Sequence, residues 1–452
     1  MVVILLVAVG FVVGAGALLG GLAQHGTASR PRTPSTPSAS GRPVQSGPLL
    51  AAPPAQAPLS APRSGPYWMG TLVSTTDHAS AESQSGVRVA MMELSWRQYE
   101  PRRGHVDRAY AAQLRSQLDT FLAAGRRVTL GLGLTDPPGW VYDIPDSRLV
   151  DQHGERSKEL NFIFNQSVRE AADEYLVRLA EDLPLQQVWA VRINSGSQVE
   201  MIYPGHGSYW AFDANAQNGR DRPPSMPANP LPGWKPGDRS VAVSEVRRWA
   251  DWYVGALDDV ADWQVSQLSG LGFKGWYQIL TPGSGVRPDD YNRAVADHLP
   301  DGLTGIGAVW SVFYAQLRRN GHIVAYVTSM ADRSGGDDVC QPDDRRVAVD
   351  DPAADRWSST RWISRLADEY GLPKNGENPG WNFPATLNAH YQDPSPAGMM
   401  QAAFRQMISC GFQGMYWAHD EQLWNGTSSF ARYAALVEGT NHGSSVVPPW
   451  PS

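Results

Sequence analysis

Residues 188–204 read VWAVRINSGSQVEMIYP, and the change of character along these positions decides the fold. The run Val188-Trp189-Ala190-Val191 carries no charged or small polar side chain, as a strand covered on both faces requires. It passes into Asn194, Ser195, Gly196, Ser197 and Gln198, then delivers one carboxylate, Glu200, ahead of Tyr203-Pro204. A buried strand that empties into small polar residues and a lone acid matches the C-terminal rim of an α/β barrel, where catalytic groups stand.

Segments of two kinds alternate on either side of this stretch. Strand-like runs fall at 67–73, 87–94, 128–134, 275–280, 323–330 and 412–418, with a further strand expected inside 371–380. Helical spacing of apolar residues marks 110–124, 167–182, 243–268, 357–370 and 399–408. Residues 305–310 read either as a short strand or as the start of a helix. Counting the opening stretch gives eight strands, so the expected fold is α/β, a (β/α)8 TIM barrel over residues 67–440. The long insertion at 205–240 carries Tyr209, Trp210, Phe212 and Trp234, which we read as a cleft wall.

Ahead of the barrel, residues 2–24 hold no charged side chain and are long enough, at about 20 residues, to span a bilayer. No basic residue precedes them. Residues 1–26 are therefore expected to be a signal or membrane-anchor segment. Residues 27–66, rich in Pro, Ser and Ala, form a linker that cannot bury a core. This layout predicts an extracytoplasmic protein, secreted or held at a membrane by its N-terminal segment. Arg30 and Arg32, which follow the apolar run, argue for the opposite orientation under the positive-inside rule. Residues 441–452 make a short C-terminal tail.

The net charge of -7 argues against a nucleic-acid partner, which leaves a basic footprint. Seventeen tryptophans in 452 residues favour a large core and lean towards carbohydrate, whose rings stack on flat aromatic faces. Cys340 and Cys410 either pair with each other or remain two separate thiols. The acidic stretch 331–356 lacks the ligand spacing of a calcium loop and is expected to be solvated. No His pair has metal-ligand spacing, and Gly131-Leu132-Gly133 lacks the third glycine and helix of a nucleotide fingerprint. No Gly-x-Ser-x-Gly elbow occurs. Neither metal nor cofactor is expected.

Cleaving a glycosidic bond takes one acid for the leaving oxygen and a second carboxylate as nucleophile or water-activating base. A barrel supplies these from two strand ends. Glu200 follows the fourth strand. Glu377 follows the seventh, in a sharp Gly376-Glu377-Asn378-Pro379-Gly380 turn.

GVRVAMMELSWRQYEPRRGHVD and VTLGLGLTDPPGWV resemble the family 42 β-galactosidases and their relatives in clan A of the retaining glycoside hydrolases. The matching features are Glu93 at a strand end, Trp96, Glu100-Pro101 before Gly104, and Pro137-Pro138 with Trp140. The resemblance implies Glu200 as acid/base and Glu377 as nucleophile, acting on a β-linked, β-galactoside-type oligo- or polysaccharide. Val199 stands where that clan usually has an asparagine before its acid. Locally, GSQVEMIYP and GEN are similar to β-amylase, whose acid precedes a Tyr-Pro and whose base sits in a Gly-Glu-Asn turn. That likeness implies inversion on an α-glucan instead. The third reading is an inactive barrel that binds surface polysaccharide.

Around the two acids, the candidate substrate-binding residues are Glu93, Trp96, Trp140, Asn194, Tyr203, Asn378, Trp417, His419 and Asp420. Trp140 and Trp417 are expected as stacking platforms. His419 and Asp420 are expected to bind hydroxyls, and Asn194 to lie near a sugar 2-hydroxyl. Glu93 either lines the sugar subsite or is a buried acid paired with an arginine.

Overall fold

The computed structural model describes residues 67–442, apart from 206, 301, 318–321, 333–337 and 382–384. The expected leader (1–26), the linker (27–66) and all but the first two residues of the tail lie outside the described residues. Among the described residues, no helix is long and apolar enough to cross a membrane.

Among the described residues, eight parallel strands form one sheet: β1 (Gly70–Thr71), β2 (Val89–Glu93), β3 (Arg127–Gly131), β4 (Ala190–Ile193), β5 (Trp276–Thr281), β6 (Ile323–Val327), β7 (Lys374–Gly376) and β8 (Tyr416–Trp417). Their spatial order is β8-β1-β2-β3-β4-β5-β6-β7. A parallel bridge from Glu377 to Tyr416 joins β7 to β8 and closes the ring. A helix follows every strand: α1 (Ala79–Gln84), α2 (Arg108–Ala123), α3 (Gln166–Asp182), α4 (Val243–Gly270), α5 (Trp310–Gln316), α6 (Ser359–Glu369), α7 (Met399–Ser409) and α8 (Phe430–His442). This is the (β/α)8 barrel that the alternation predicts.

Local chemistry sets the helix starts. The Asp107 carboxylate accepts from the N–H groups of Ala109 and Tyr110 at the head of α2, and Asn165 accepts from Val168 at the head of α3. Ala111, Leu114, Leu118 and Phe121 bury one face of α2. Their spacing of three and four residues lays one apolar stripe on the sheet.

Two apolar cores result. The larger lies between sheet and helices, and takes Ala90, Met92, Val128, Leu130, Val191, Ile193, Ala325, Val327 and Trp417 from the strands. The smaller fills the barrel lumen with Leu72, Val89, Met91, Leu280, Tyr326, Tyr416 and Ala418. Because side chains alternate along a strand, these two memberships fix which parity points inward. On β2 it is 89, 91 and 93; on β4, 190 and 192; on β6, 326 and then 328. On β7 the outward Lys374 bonds Asp368 and Ser364 of α6, which leaves Asn375 and Glu377 facing in. The site follows from this parity.

Several expectations change. The aromatic residues of the 205–240 insertion do not form a cleft wall. Tyr209 and Trp234 are buried and pack on Trp249 of α4 at 5.7 and 5.3 Å. They supply the cover that the apolar flank of α4 lacks. The antiparallel hairpin of Arg148–Val150 and Arg156–Leu160 was not expected, and Phe212 N–H bonds Val150 O at 2.9 Å to tie the insertion to it. Residues 305–310 contain no strand; α5 begins at Trp310. Within the acidic stretch, Asp338 and Asp344 both bind the Arg361 guanidinium, at 2.7 and 2.6 Å, so this part is pinned rather than simply solvated. Cys340 and Cys410 are joined in a disulfide with a Cα–Cα distance of 4.9 Å.

Candidate active site

Glu377 stands on the seam that closes the barrel. Its backbone N–H donates to Val327 O at 2.8 Å, and its carbonyl accepts from Met330 N at 2.9 Å. The main chain is thus stitched to β6 on both sides of the acid. The side chain turns inward, where Arg192 Nη1 donates to Oε2 at 2.6 Å and Nη2 to Oε1 at 3.2 Å. Tyr326 OH donates to the same Oε2 at 2.6 Å. Arg192 and Glu377 side chains are each 11% exposed, so this is an ion pair largely withdrawn from water. Tyr326 and Arg192 also touch at 3.3 Å, completing a triangle around the carboxylate.

Glu200 is set by the polar residues that precede it. Asn194 Oδ1 accepts from Gly196 N at 2.8 Å, and Ser195 Oγ accepts from Gln198 N at 3.0 Å. Gly196 takes φ +71°, a left-handed turn that also packs against the Phe162 ring. The loop then folds back, with Ser195 N–H bonded to Glu200 O and Met201 N–H bonded to Leu280 O at the end of β5. Thr328 Oγ1, one inward step beyond Tyr326, donates to Glu200 Oε1. Burial pushes the Glu200 carboxyl up to about 7; the Thr328 bond pulls down, the charge of Glu377 pushes up, and Arg192 pulls down. The two acids therefore feel each other. One is ion-paired, and the other is poised to hold a proton near neutrality.

Glu93 is the third carboxylate of the rim. It has the inward parity of β2 and is solvent-exposed. Gly131 beside it leaves the room it occupies, since a Cβ there would overlap the carboxylate. The surrounding protein pushes Glu93 up to about 7, against the pull of Arg192 and of the Gly133 N–H, and with a further push from Glu377. Water reaching the exposed group screens these charges. Of the two expectations for Glu93, exposure favours cleft lining; Arg192 is engaged with Glu377. His419 is half-buried on the same rim, and its burial lowers it, countered by the charges of Glu377 and Glu421.

Of the remaining candidates, Trp96, Tyr203, Asn378, Trp417 and Asp420 are buried, and Trp140 and Asn194 are half-buried. Trp96 is fully buried, stacked on Tyr175 at 5.0 Å, and its indole N–H bonds Glu100 at 3.1 Å. Trp140 stands edge-on to Trp96 at 5.7 Å and donates to Glu100 O, which braces that core. Trp417 has the outward parity of β8 and packs on Tyr391 at 4.9 Å. Tyr203 is buried, stacked on Tyr253 at 4.0 Å with its hydroxyl on Tyr253 O. Asn378 clamps two strand ends, accepting from Ala418 N at 3.0 Å and donating to Pro379 O at 2.7 Å. Asp420 is fully buried and accepts from Thr75 N–H and Thr75 Oγ1, at 2.6 and 2.8 Å. Asn194 is spent on its own turn, and its carbonyl accepts from Gln264 at 2.6 Å.

Sequence reasoning missed Arg192, Tyr326 and Thr328. Arg192 had a signal, a cation inside an otherwise apolar strand, which takes an internal partner to be tolerated. Tyr326 and Thr328 had none: a tyrosine or threonine in a strand is ordinary. Beneath them, Tyr416 OH bonds Thr129 at 2.7 Å and Gln278 at 3.1 Å, a polar floor under the ion pair. Among the described residues, no group of three or more His, Cys, Asp or Glu side chains is arranged to hold a metal.

No protein-family model matches this sequence, and no curated protein matches it. Solved structures do. The catalytic domain of β-amylase from Paenibacillus polymyxa superposes with TM-score 0.58 at 12% identity, covering 83% of this chain and 98% of that one. The β-galactosidase of the Antarctic haloarchaeon Halorubrum lacusprofundi gives 0.54 at 14% identity, over 82% of this chain and 58% of that one. The β-galactosidase of the psychrophilic Marinomonas ef1 gives 0.51 at 13%, over 84% and 61%. The chain thus spans about three fifths of those β-galactosidases and nearly all of the β-amylase domain. Identities this low carry the fold alone.

Proposed function

We propose that the chain is a glycoside hydrolase acting on an oligo- or polysaccharide through Glu200 and Glu377. The observation that carries this reading is the pairing of two unlike carboxylates at the ends of β4 and β7. Glu377 is ion-paired to Arg192, and Glu200, pushed up to about 7, holds a proton near neutral pH. Two acids whose surroundings give them different protonation states are what acid/base division of labour requires. In the retaining form, Glu377 attacks the anomeric carbon while Glu200 protonates the leaving oxygen. Glu200 then takes a proton from the water that releases the sugar. Arg192 and Tyr326 orient the attacking carboxylate. Glu93 and His419 are the rim groups open to a substrate. A β-galactoside-type β-linked glycan fits the resemblance of the 86–107 and 128–141 segments.

A second reading, inversion on an α-glucan, is favoured by the extent of the β-amylase likeness and by the Tyr-Pro and Gly-Glu-Asn contexts of the two acids. NMR of the first-formed anomer on a polysaccharide panel separates the two. Glu200→Gln and Glu377→Gln are each expected to cut turnover at least 1000-fold on whichever glycan is cleaved, roughly the scale of losing an essential catalytic group. Turnover unchanged in both variants refutes the assignment. The disulfide supports export, since such bonds persist in oxidising compartments.

A further inference from the structure

We infer that the N-terminal face of the barrel carries a second carbohydrate site, one that binds an acidic polysaccharide: a sugar ring lies against Trp276 and Trp189, and its carboxylate meets Arg127 and Lys274. The site is separate from Glu200 and Glu377, and the inference stands without the reading of those acids. All eight strands run in one direction, so the residues that open β3, β4 and β5 lie at the end of the barrel opposite to the acids that follow β4 and β7. A cavity of about 330 Å³ is lined by residues from these three strand starts. That volume falls in the range of small-ligand sites, about 300–1,000 Å³.

Trp189 stands one residue before β4, and Trp276 opens β5; Trp276 N–H donates to Trp189 O at 2.9 Å, which sets the two indoles on neighbouring strands. Both are half-buried. Packing accounts for one of them: Trp189 leans on Trp68 at 5.6 Å, and both pack against the lumen core. Among the described residues, Trp276 packs on neither apolar core and has His322 as a tilted neighbour at 5.4 Å. An indole that serves no core, at the wall of a cavity, offers a flat face to a sugar ring.

The charge around these rings has one sign. Arg126, Arg127 and Lys274 line the cavity and no carboxylate does, in a chain of net charge -7. Arg126 is committed to the buried Glu82. Arg127 and Lys274 are exposed, and neither has a carboxylate partner among the described residues. The Arg127 guanidinium lies over the Trp68 ring at 4.3 Å, which holds one of the two cations in place. Gln186 and Gln187, both exposed, add amides that exchange hydrogen bonds with hydroxyls. A neutral glycan leaves the two cations unmatched; a polymer with a carboxylate on each ring matches them.

The test is calorimetric binding of the full chain to polygalacturonate, in which every ring carries a carboxylate. Trp276→Ala and Lys274→Glu are each expected to weaken binding about tenfold or more, the scale of losing an aromatic anchor or reversing a contact charge. Added salt is expected to weaken binding to the wild type, since both cations are exposed. Lys274→Glu is expected to keep the wild-type unfolding midpoint and, on a neutral glycan that the wild type cleaves, its turnover. Glu200→Gln is expected to leave polygalacturonate binding unchanged, so the two sites stand or fall separately. Polygalacturonate that does not bind, or that binds both variants as well as the wild type, overturns the inference. Equal binding of polyacrylate, a polyanion without rings, overturns the assignment to carbohydrate. Equal binding of neutral galactan or starch, weakened by the same two variants but not by salt, overturns the assignment to an acidic polymer.

Discussion

Replacing Arg192 by methionine removes the one cation that holds Glu377 while keeping most of the side-chain volume. Both side chains of the pair are 11% exposed, and the two bonds measure 2.6 and 3.2 Å. With charge centres about 4 Å apart and an effective dielectric of about 20, their attraction is about 4 kcal/mol. Truncating one partner of such a pair costs about 3–5 kcal/mol, because the remaining charge is stranded away from water. Tyr326 OH still donates to Oε2, so the lower half of that range applies. Urea unfolding of Arg192→Met at pH 7 is thus expected to show a loss of about 3–4 kcal/mol. Adding Glu377→Gln removes the stranded charge and is expected to return at least about 1 kcal/mol, a coupling that a double-mutant cycle reads directly. Arg192 also holds Glu200 down, so in Arg192→Met the Glu200 carboxyl climbs above its value of about 7. A single variant within about 0.5 kcal/mol of the wild type, or a double variant in which the losses simply add, refutes the reasoning.

Two further outcomes follow from other parts of the fold. Asp213 is 3% exposed, and burial raises it from 3.8 to about 7 against the pull of the Ala216 and Asn215 N–H groups, so the folded state binds its proton more tightly than the unfolded chain. Its stabilising contribution is therefore full below pH 3.8 and is lost as pH rises through about 7, at up to about 1.4 kcal/mol per pH unit. Denaturant midpoints measured from pH 4 to 8 are expected to show a decline that Asp213→Asn flattens. Removing the disulfide with Cys340→Ala and Cys410→Ala opens a loop of 70 residues and is expected to cost about 4 kcal/mol on the chain-entropy estimate, read as a lowered unfolding midpoint.

Much of the fold was legible in advance because it rests on local patterning. The strand-like and helical runs alternate, Asp107 and Asn165 stand at helix starts, and each expected barrel strand overlaps an observed one. Glu200 and Glu377 were also legible, since each follows a strand end in a chain that reads as a barrel. The supporting residues were not. In strands apolar on both faces, no polar alternation reveals which residues point into the lumen, so Trp417 and Tyr416 look equivalent in the sequence. Only the tertiary register separates them: Trp417 faces the helices, while Tyr416 faces in.

The same reason divides what the sequence by itself determined from what the closed barrel decided. Periodicity and breakers, which act within a few residues, were enough to specify eight strands, five of the helices that follow them, and the strand-end acids Glu200 and Glu377. The contacts that give those acids different character span long separations, 185 residues from Arg192 to Glu377 and 128 from Glu200 to Thr328. No local rule links such positions. They meet because ring closure through Glu377 and Tyr416 turns inward parity on separate strands into one polar cluster at the rim. That cluster has one cation for three carboxylates, of which Glu93 is open to water; Arg192 pairs with Glu377, and Glu200 is left to hold its proton near neutrality.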